Sequence, residues 1–184
     1  GVLGPSGLTF GPDKNIYVIS SKTHEIFRYN ADSGGLIGIF STFPYLNNTN
    51  STRLPDGQLQ DLVFSQDGKY MYVSSIFTNE ILRFDGQTGK FIDVFTDKIE
   101  SGIQHPQNLV FSPDGKSLYV NNYETGSIFA YDADTGHLIN SISSKNQDLA
   151  SDVKNIKFGK NGDIYITAND YNQIFQFNPD TGNF

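Results

Sequence analysis

The sequence predicts an all-β fold: a β-propeller of about four blades, each a four-stranded antiparallel sheet, with the last blade incomplete. Three observations predict it. One motif recurs at Leu8-Thr9-Phe10, Leu62-Val63-Phe64, Leu109-Val110-Phe111 and Ile156-Lys157-Phe158, so successive starts lie 54, 47 and 47 residues apart. Each copy holds short apolar or alternating runs separated by Gly-, Asp- and Asn-bearing turns, the pattern of strands rather than helices. The step from second-strand Val or Ile to third-strand Ile is eight in every copy: Val18 to Ile26, Val73 to Ile81, Val120 to Ile128 and Ile166 to Ile174. A constant step means that the loop it spans has one geometry.

The third copy shows each element in order. Asn108-Leu109-Val110-Phe111-Ser112 is a short apolar run, as an innermost strand covered on both faces requires. Pro113-Asp114-Gly115-Lys116 is a tight turn, Pro presetting one φ and Gly accepting a positive one. Ser117–Asn121 is the second strand. Ser127–Asp132 alternates apolar and polar, a half-buried third strand. Asp134-Thr135-Gly136 turns the chain into the outer strand Leu138–Ile142. The blades fall at about residues 4–52, 53–103, 104–152 and 153–184, with 1–3 as the stub of an outer strand. The repeated aromatics, Tyr17, Tyr72 and Tyr165 among them, read as core between blades.

Composition narrows the class. A chain of 184 residues with 18 Gly and 18% charged residues suits a turn-rich globular domain. The net charge of −7 without a basic cluster argues against a nucleic-acid partner. Absence of Cys excludes disulfides and thiolate metal sites. No apolar run is long enough for direct membrane insertion. Asn47-Asn48-Thr49 and Asn50-Ser51-Thr52 are adjacent sequons that make Asn47 and Asn50 candidate glycosylation sites, against the plainer reading of chance in a polar loop. The chain opens on Gly1 rather than Met and reads as a processed form or an excised segment.

Phe111-Ser112-Pro113-Asp114-Gly115-Lys116-Ser117-Leu118-Tyr119-Val120, followed by Ile128-Phe129-Ala130-Tyr131-Asp132 and Thr135-Gly136, resembles the NHL/YVTN class of propeller repeats, the streptogramin-lyase and gluconolactonase class of propellers included. The resemblance spans nearly the whole chain and implies fold more strongly than activity. In the lyase and gluconolactonase relatives, the residues just before each first strand supply metal-binding Glu, Asn or Asp, or a catalytic His. Here those positions read Pro5-Ser6-Gly7, Leu59-Gln60-Asp61, Pro106-Gln107-Asn108 and Val153-Lys154-Asn155. No catalytic His or acidic ligand stands at the earlier of the two ring positions, and Lys154 would repel a divalent cation.

Asp61, Asn108 and Asn155 therefore form a weak candidate oxygen-ligand set, suited to Ca²⁺. The competing reading is that these side chains hydrogen-bond strand-start backbone, as Asx residues often do. His105, in the loop before Pro106, and the second-loop aromatics Phe77, Tyr123 and Tyr171 are candidate ligand-binding residues, with Phe43, Tyr45 and Leu46 extending the same apolar patch. No catalytic residue is assigned and no cofactor beyond Ca²⁺ is expected.

The ends leave three arrangements open. The N-terminal stub completes the last blade within one chain, or does so between chains, or the segment belongs to a larger propeller; open blade edges invite self-association. The leading functional reading is a non-enzymatic extracellular or cell-surface scaffold that binds protein or glycan through its loop face. The alternative is a propeller lyase or lactonase whose axial metal site is completed by other blades or chains.

Overall fold

The computed structural model describes residues 1–43, 59–96, 102–123, 125–142, 153–168, 172–179 and 181. The chain divides into two compact units, Gly1–Val94 and Phe95–Phe184. Among the described residues there is no helix. The first unit holds two four-stranded sheets, β1 (Pro5–Phe10) to β4 (Leu36–Thr42) through β2 (Ile16–Ser20) and β3 (Glu25–Tyr29), then β5 (Leu59–Phe64), β6 (Tyr70–Ser75), β7 (Glu80–Asp85) and β8 (Phe91–Val94). The second unit holds the four-stranded sheet β9 (Pro106–Phe111), β10 (Ser117–Asn122), β11 (Ile128–Asp132), β12 (Leu138–Ile142) and the three-stranded sheet β13 (Val153–Phe158), β14 (Ile164–Ala168), β15 (Gln173–Phe177). Every sheet is a meander in which sequence neighbours pair antiparallel, which is blade topology.

The turns explain why the strands stop where they do. Asn30, Asp85, Asp132 and Asn178 occupy one repeat position at the end of the third strand. Each accepts the backbone N–H of Ser33, Thr88, Thr135 or Thr181, at 2.7–2.9 Å, and the hydroxyl of the same residue. The Asx side chain thus replaces a ladder partner and bends the chain. At the preceding turn, Asp13, Asp67 and Asp114 accept the N–H of the residue two places on.

Packing follows strand parity. In the first unit, Tyr17, Ile19 and Ile26 on one face of the β1–β4 sheet meet Leu62, Met71, Val73, Leu82 and Phe84 of the β5–β8 sheet. In the second unit, Ile128 packs with Ile156, Ile164, Ile166 and Phe177, joined by Val110 and Tyr119. An edge-on aromatic pair recurs at both joints: Tyr17 with Phe64 at 4.9 Å and Tyr119 with Phe158 at 5.2 Å between centroids. Each fully buried Leu, Ile or Phe there contributes about 1.5–3 kcal/mol. The reading of the repeated aromatics as inter-blade core holds most fully for Tyr17 and Tyr72, which are buried, while Tyr119 and Tyr165 are half-buried.

The predicted outer-strand stub at residues 1–3 is not a strand. Leu3 instead donates its N–H to the Ser20 hydroxyl at 2.9 Å, and its carbonyl accepts from that hydroxyl and from the Lys22 N–H. These bonds hold the stub against the loop after β2.

Candidate functional site

The first strand of every sheet carries the same irregularity. Pro5 faces Ser20 and Leu8 faces Val18, so three steps on β1 match two on β2. The same extra residue occurs between Leu59 and Leu62, between Pro106 and Leu109, and between Val153 and Asn155. A β-bulge re-aims the side chains at its bend, and these bends carry Gly7, Asp61, Asn108 and Asn155. The sequence put candidate chemistry at this position; the bulge is the physical reason that the position differs from the strand around it.

The side chains of Asp61 and Asn155 each have a backbone task. The Leu62 N–H donates to Asp61 Oδ1 at 2.9 Å, and the Ile156 N–H donates to Asn155 Oδ1 at 2.9 Å. Asp61 N–H donates to the Ser74 hydroxyl at 3.0 Å, and Asn108 N–H donates to Asn121 Oδ1 at 2.6 Å. Gly7 is required sterically: a Cβ there would lie 2.7 Å from Asp61 Cα and from the Gln60 carbonyl oxygen. The first strands β1 and β5 therefore pass each other closely, and the Ser6 hydroxyl donates across to the Leu59 carbonyl at 2.9 Å. In the second unit the corresponding bond runs from Asn121 Nδ2 to the Val153 carbonyl at 2.7 Å.

Asp61 belongs to the first unit, and Asn108 and Asn155 to the second. Among the described residues, no three His, Cys, Asp or Glu side chains gather as a metal set. Oδ1 of Asp61 and Oδ1 of Asn155 are each engaged with a backbone N–H.

The other candidates separate. Phe77 is 55% exposed in the turn after β6. Tyr123 is partly exposed, with the Lys154 ammonium 4.5 Å from its ring centroid, a cation–π contact that uses one ring face and ties the loop after β10 to β13. His105 adopts a left-handed backbone, φ 52°, immediately before Pro106, and its carbonyl accepts the Tyr123 N–H. Phe43 departs from the expected loop patch: it is buried and meets Phe84 edge-on at 4.9 Å, because the end of β4 delivers it into the joint core. Tyr171, Tyr45, Leu46 and the sequon residues Asn47 and Asn50 lie outside the described residues.

Two elements were not found by sequence reasoning. Asn121 bridges two first strands, a role that needs the three-dimensional joint to be seen. His24, Asn79 and Asn172 take positive φ at one repeat position, with Gly126 beside them; the Asn/Gly recurrence there was the available signal.

Ionisation is tuned mainly at turns. Burial pushes Asp13 upward, but hydrogen bonds from Asn15 and Tyr17 and the charge of Arg28 hold its carboxyl below the usual range. Burial and the neighbouring Asp13 raise the Tyr17 phenol to about 12. These groups brace the Asp13–Arg28 ion pair rather than offering a proton for catalysis.

The comparisons with known proteins fit this architecture. The sequence model of "Lactonase, 7-bladed beta-propeller" matches residues 3–154. No curated protein matches the chain. Among solved structures, the chain is similar to hydrazine synthase of Kuenenia stuttgartiensis, with TM-score 0.72 and 17% identity over 99% of this chain and 48% of that one. It is similar to virginiamycin B lyase of Staphylococcus aureus, with TM-score 0.65 and 18% identity over 97% of this chain and 57% of that one. It is also similar to a putative 6-phosphogluconolactonase of Bacteroides uniformis, with TM-score 0.63 and 21% identity over 97% and 52%. The chain spans about half the length of these structures, and at such identities the likeness shows the fold alone. With antiparallel meander blades in both units and a profile match over most of its length, the chain belongs to the lactonase family of seven-bladed β-propellers.

Proposed function

We propose that the chain is part of a propeller enzyme of lactonase or lyase type, whose site is completed by further blades. The observation that carries this reading is the family match over residues 3–154. The lyase and lactonase names among the similar structures support it in the same direction. Within this reading the contribution of these blades is the Asp61 carboxylate. It is the one acidic group among the four bulge positions Gly7, Asp61, Asn108 and Asn155.

The test is lactone ring opening, followed by proton release on a simple aldonolactone, with Ca²⁺, Mg²⁺ or Zn²⁺ added in turn. Streptogramin-type cyclic depsipeptide is the parallel lyase substrate. Asp61→Asn keeps an oxygen for the Leu62 N–H while removing the charge, so turnover is expected to fall by roughly tenfold or more with the fold intact. Absence of turnover by the completed propeller on both substrate classes with all three metals would remove the enzyme reading.

A second reading has one observation behind it: Phe77 is exposed and Tyr123 partly so, on loops following the second strands. Such aromatics suit a protein or glycan surface in a non-enzymatic binding propeller. Glycan-array or pull-down binding that is lost in Phe77→Ala, without turnover, would favour it.

A further inference from the structure

One turn recurs in all four sheets between the first and second strands, and one copy differs from the rest in its chemistry. Asp13, Asp67, Asp114 and Asn161 occupy the same place in it. The residue after each, Lys14, Gly68, Gly115 or Gly162, takes a left-handed backbone with φ between 64° and 83°. Each Asx oxygen accepts the N–H two places on, at 3.0–3.3 Å. The fourth copy alone sets an amide before glycine, and Asn161-Gly162 is the only Asn-Gly step in the sequence.

Such a step is labile, because the side-chain Cγ lies one ring closure from the next backbone nitrogen and glycine has no Cβ to shield that nitrogen. Asp67 and Asp114 precede glycine too, but a carboxylate is ionised at neutral pH and resists attack. The Asn161 amide is neutral and has ammonia as its leaving group.

The surroundings leave the step open. Asn161 is exposed, and this belongs to the turn rather than to the end of the sequence: Asp67, with a sheet before it, and Asp114, with a sheet after it, are exposed as well. Gly68 is shielded by the repeat before it, where an added Cβ would lie 2.7 Å from Pro12 Cβ. Gly162 also follows a repeat, yet nothing lies within 4 Å of the same point. The bond that holds the attacking nitrogen is the longest of the four. Gly162 N–H donates to the Gly159 carbonyl at 3.1 Å, against 2.8–2.9 Å in the other copies. Ser65 and Ser112 brace Asp67 and Asp114 with hydroxyls at 2.6–2.7 Å, and Gly159 takes their place in the fourth copy.

We propose that Asn161 is a deamidation site of the folded chain, and that the new carboxylate weakens the β13–β15 sheet through Asp163. The Gly162 backbone nitrogen, its proton taken by hydroxide, bonds to Asn161 Cγ. The Cγ–Nδ2 bond breaks, and the amide nitrogen leaves as ammonia with a proton from water. Water then opens the succinimide at either carbonyl, giving aspartate or isoaspartate. Asp163 relies on the amide that is lost. Its Oδ2 accepts Asn161 Nδ2 at 2.7 Å and Gln176 Nε2 at 2.6 Å, and its Oδ1 accepts Asn178 Nδ2 at 3.2 Å. Deamidation replaces the first of these donors with a second anion. The β1–β4 sheet avoids that clash, because there Asp13 faces the amide of Asn15 and pairs with Arg28.

Peptide mapping by mass spectrometry, on the folded chain held at neutral and at alkaline pH, tests the proposal. Asn161 should be converted at roughly ten times the rate of any other asparagine or more, and faster at the higher pH. Gly162→Lys copies Lys14, which the same turn accepts at φ 64°. It should therefore fold, and slow the conversion by roughly tenfold or more. Asn161→Asp makes the aspartate product directly and should melt roughly 2–4 °C below wild type, the shift for one lost charge-assisted hydrogen bond in a chain of this size. Asn161→Asp/Asp163→Asn restores the order of Asp13 and Asn15 and should recover that loss. Conversion at Asn161 no faster than elsewhere overturns the proposal, as does an unchanged rate in Gly162→Lys. Asn161→Asp melting with wild type, or a double variant no more stable than the single one, overturns the part assigned to Asp163.

Discussion

Alanine at Gly34 and at Gly89 separates backbone strain from close packing, because the two glycines close the same turn with the same φ of 69° and lie in the same unit. A left-handed conformation costs an L-residue about 1–2 kcal/mol. Restricting the unfolded chain returns about 0.4–1 kcal/mol. Gly34→Ala, with open space around it, should therefore lose about 1 kcal/mol. Gly89→Ala suffers the same strain and also drives its Cβ into the Phe40 carbonyl oxygen, with the Phe40 ring 3.2 Å away. Backbone cannot swing aside as a side-chain tip can, so overpacking adds about 1–3 kcal/mol. For a chain of this size each kcal/mol moves the melting temperature by roughly 2–4 °C. Melts of dilute protein by circular dichroism should then drop by roughly 2–4 °C for G34A and by roughly 5–15 °C for G89A. Gly136→Ala in the second unit should behave like G89A, since its Cβ meets the Phe95 carbonyl. Equal losses for G34A and G89A would refute the reasoning, because the contact at Phe40 would then be contributing nothing.

Two further outcomes follow from the hydrogen bonds. Asp85 and Asp132 are held below the usual carboxylate range, first by the Thr88 and Thr135 hydroxyls and then by backbone N–H groups. A depressed carboxylate contributes stability above its unfolded value near 3.8 and loses it as pH falls through the lower folded value. Asn30 and Asn178 close the same turn without charge, so the double variant Asp85→Asn/Asp132→Asn should melt with a flatter pH dependence below about pH 4 than wild type; identical slopes would count against the account. Asn121→Ala strands the Asn108 N–H and the Val153 carbonyl, each worth about 1–3 kcal/mol when buried without a partner. Denaturant unfolding of the second unit should register a loss of that order, and a loss below about 0.5 kcal/mol would mean water replaces the amide.

Much of the fold was legible because its determinants are local. The Asx residue followed three places later by Ser or Thr, and then Gly, is readable at Asp85-Gly86-Gln87-Thr88-Gly89 without any tertiary knowledge, and the structure uses Asp85 and Thr88 to close that turn. The eight-residue step between second and third strands is likewise a local quantity. What escaped were features that exist only when two strands meet. Phe43 reads as a loop aromatic because its polar neighbours dominate the window; its burial comes from Phe84, 41 residues away. Lys154 reads as a repelling charge, yet its ammonium rests on Tyr123, from the preceding repeat. Asn121 reads as an ordinary polar residue in a strand, and its importance lies in a carbonyl 32 residues further on.

The candidate site was half legible for a related reason. At the bulge the scaffold asks for an oxygen that can accept the next backbone N–H, and Asn155 supplies it as well as Asp61 does, at the same 2.9 Å. The backbone therefore has no use for the negative charge of Asp61. A half-buried carboxylate loses solvation that an amide would not lose, so the charge is a cost to folding that the neutral repeat avoids. Where a structural task is met equally by a neutral and a charged side chain, the charged one can serve a second task, and in the enzyme reading proposed above that task is a ligand. The argument makes a separable demand on Asp61→Asn: stability equal to or above wild type, together with loss of whatever the site binds or turns over. A variant that lost stability and kept function would place Asp61 among the purely structural residues.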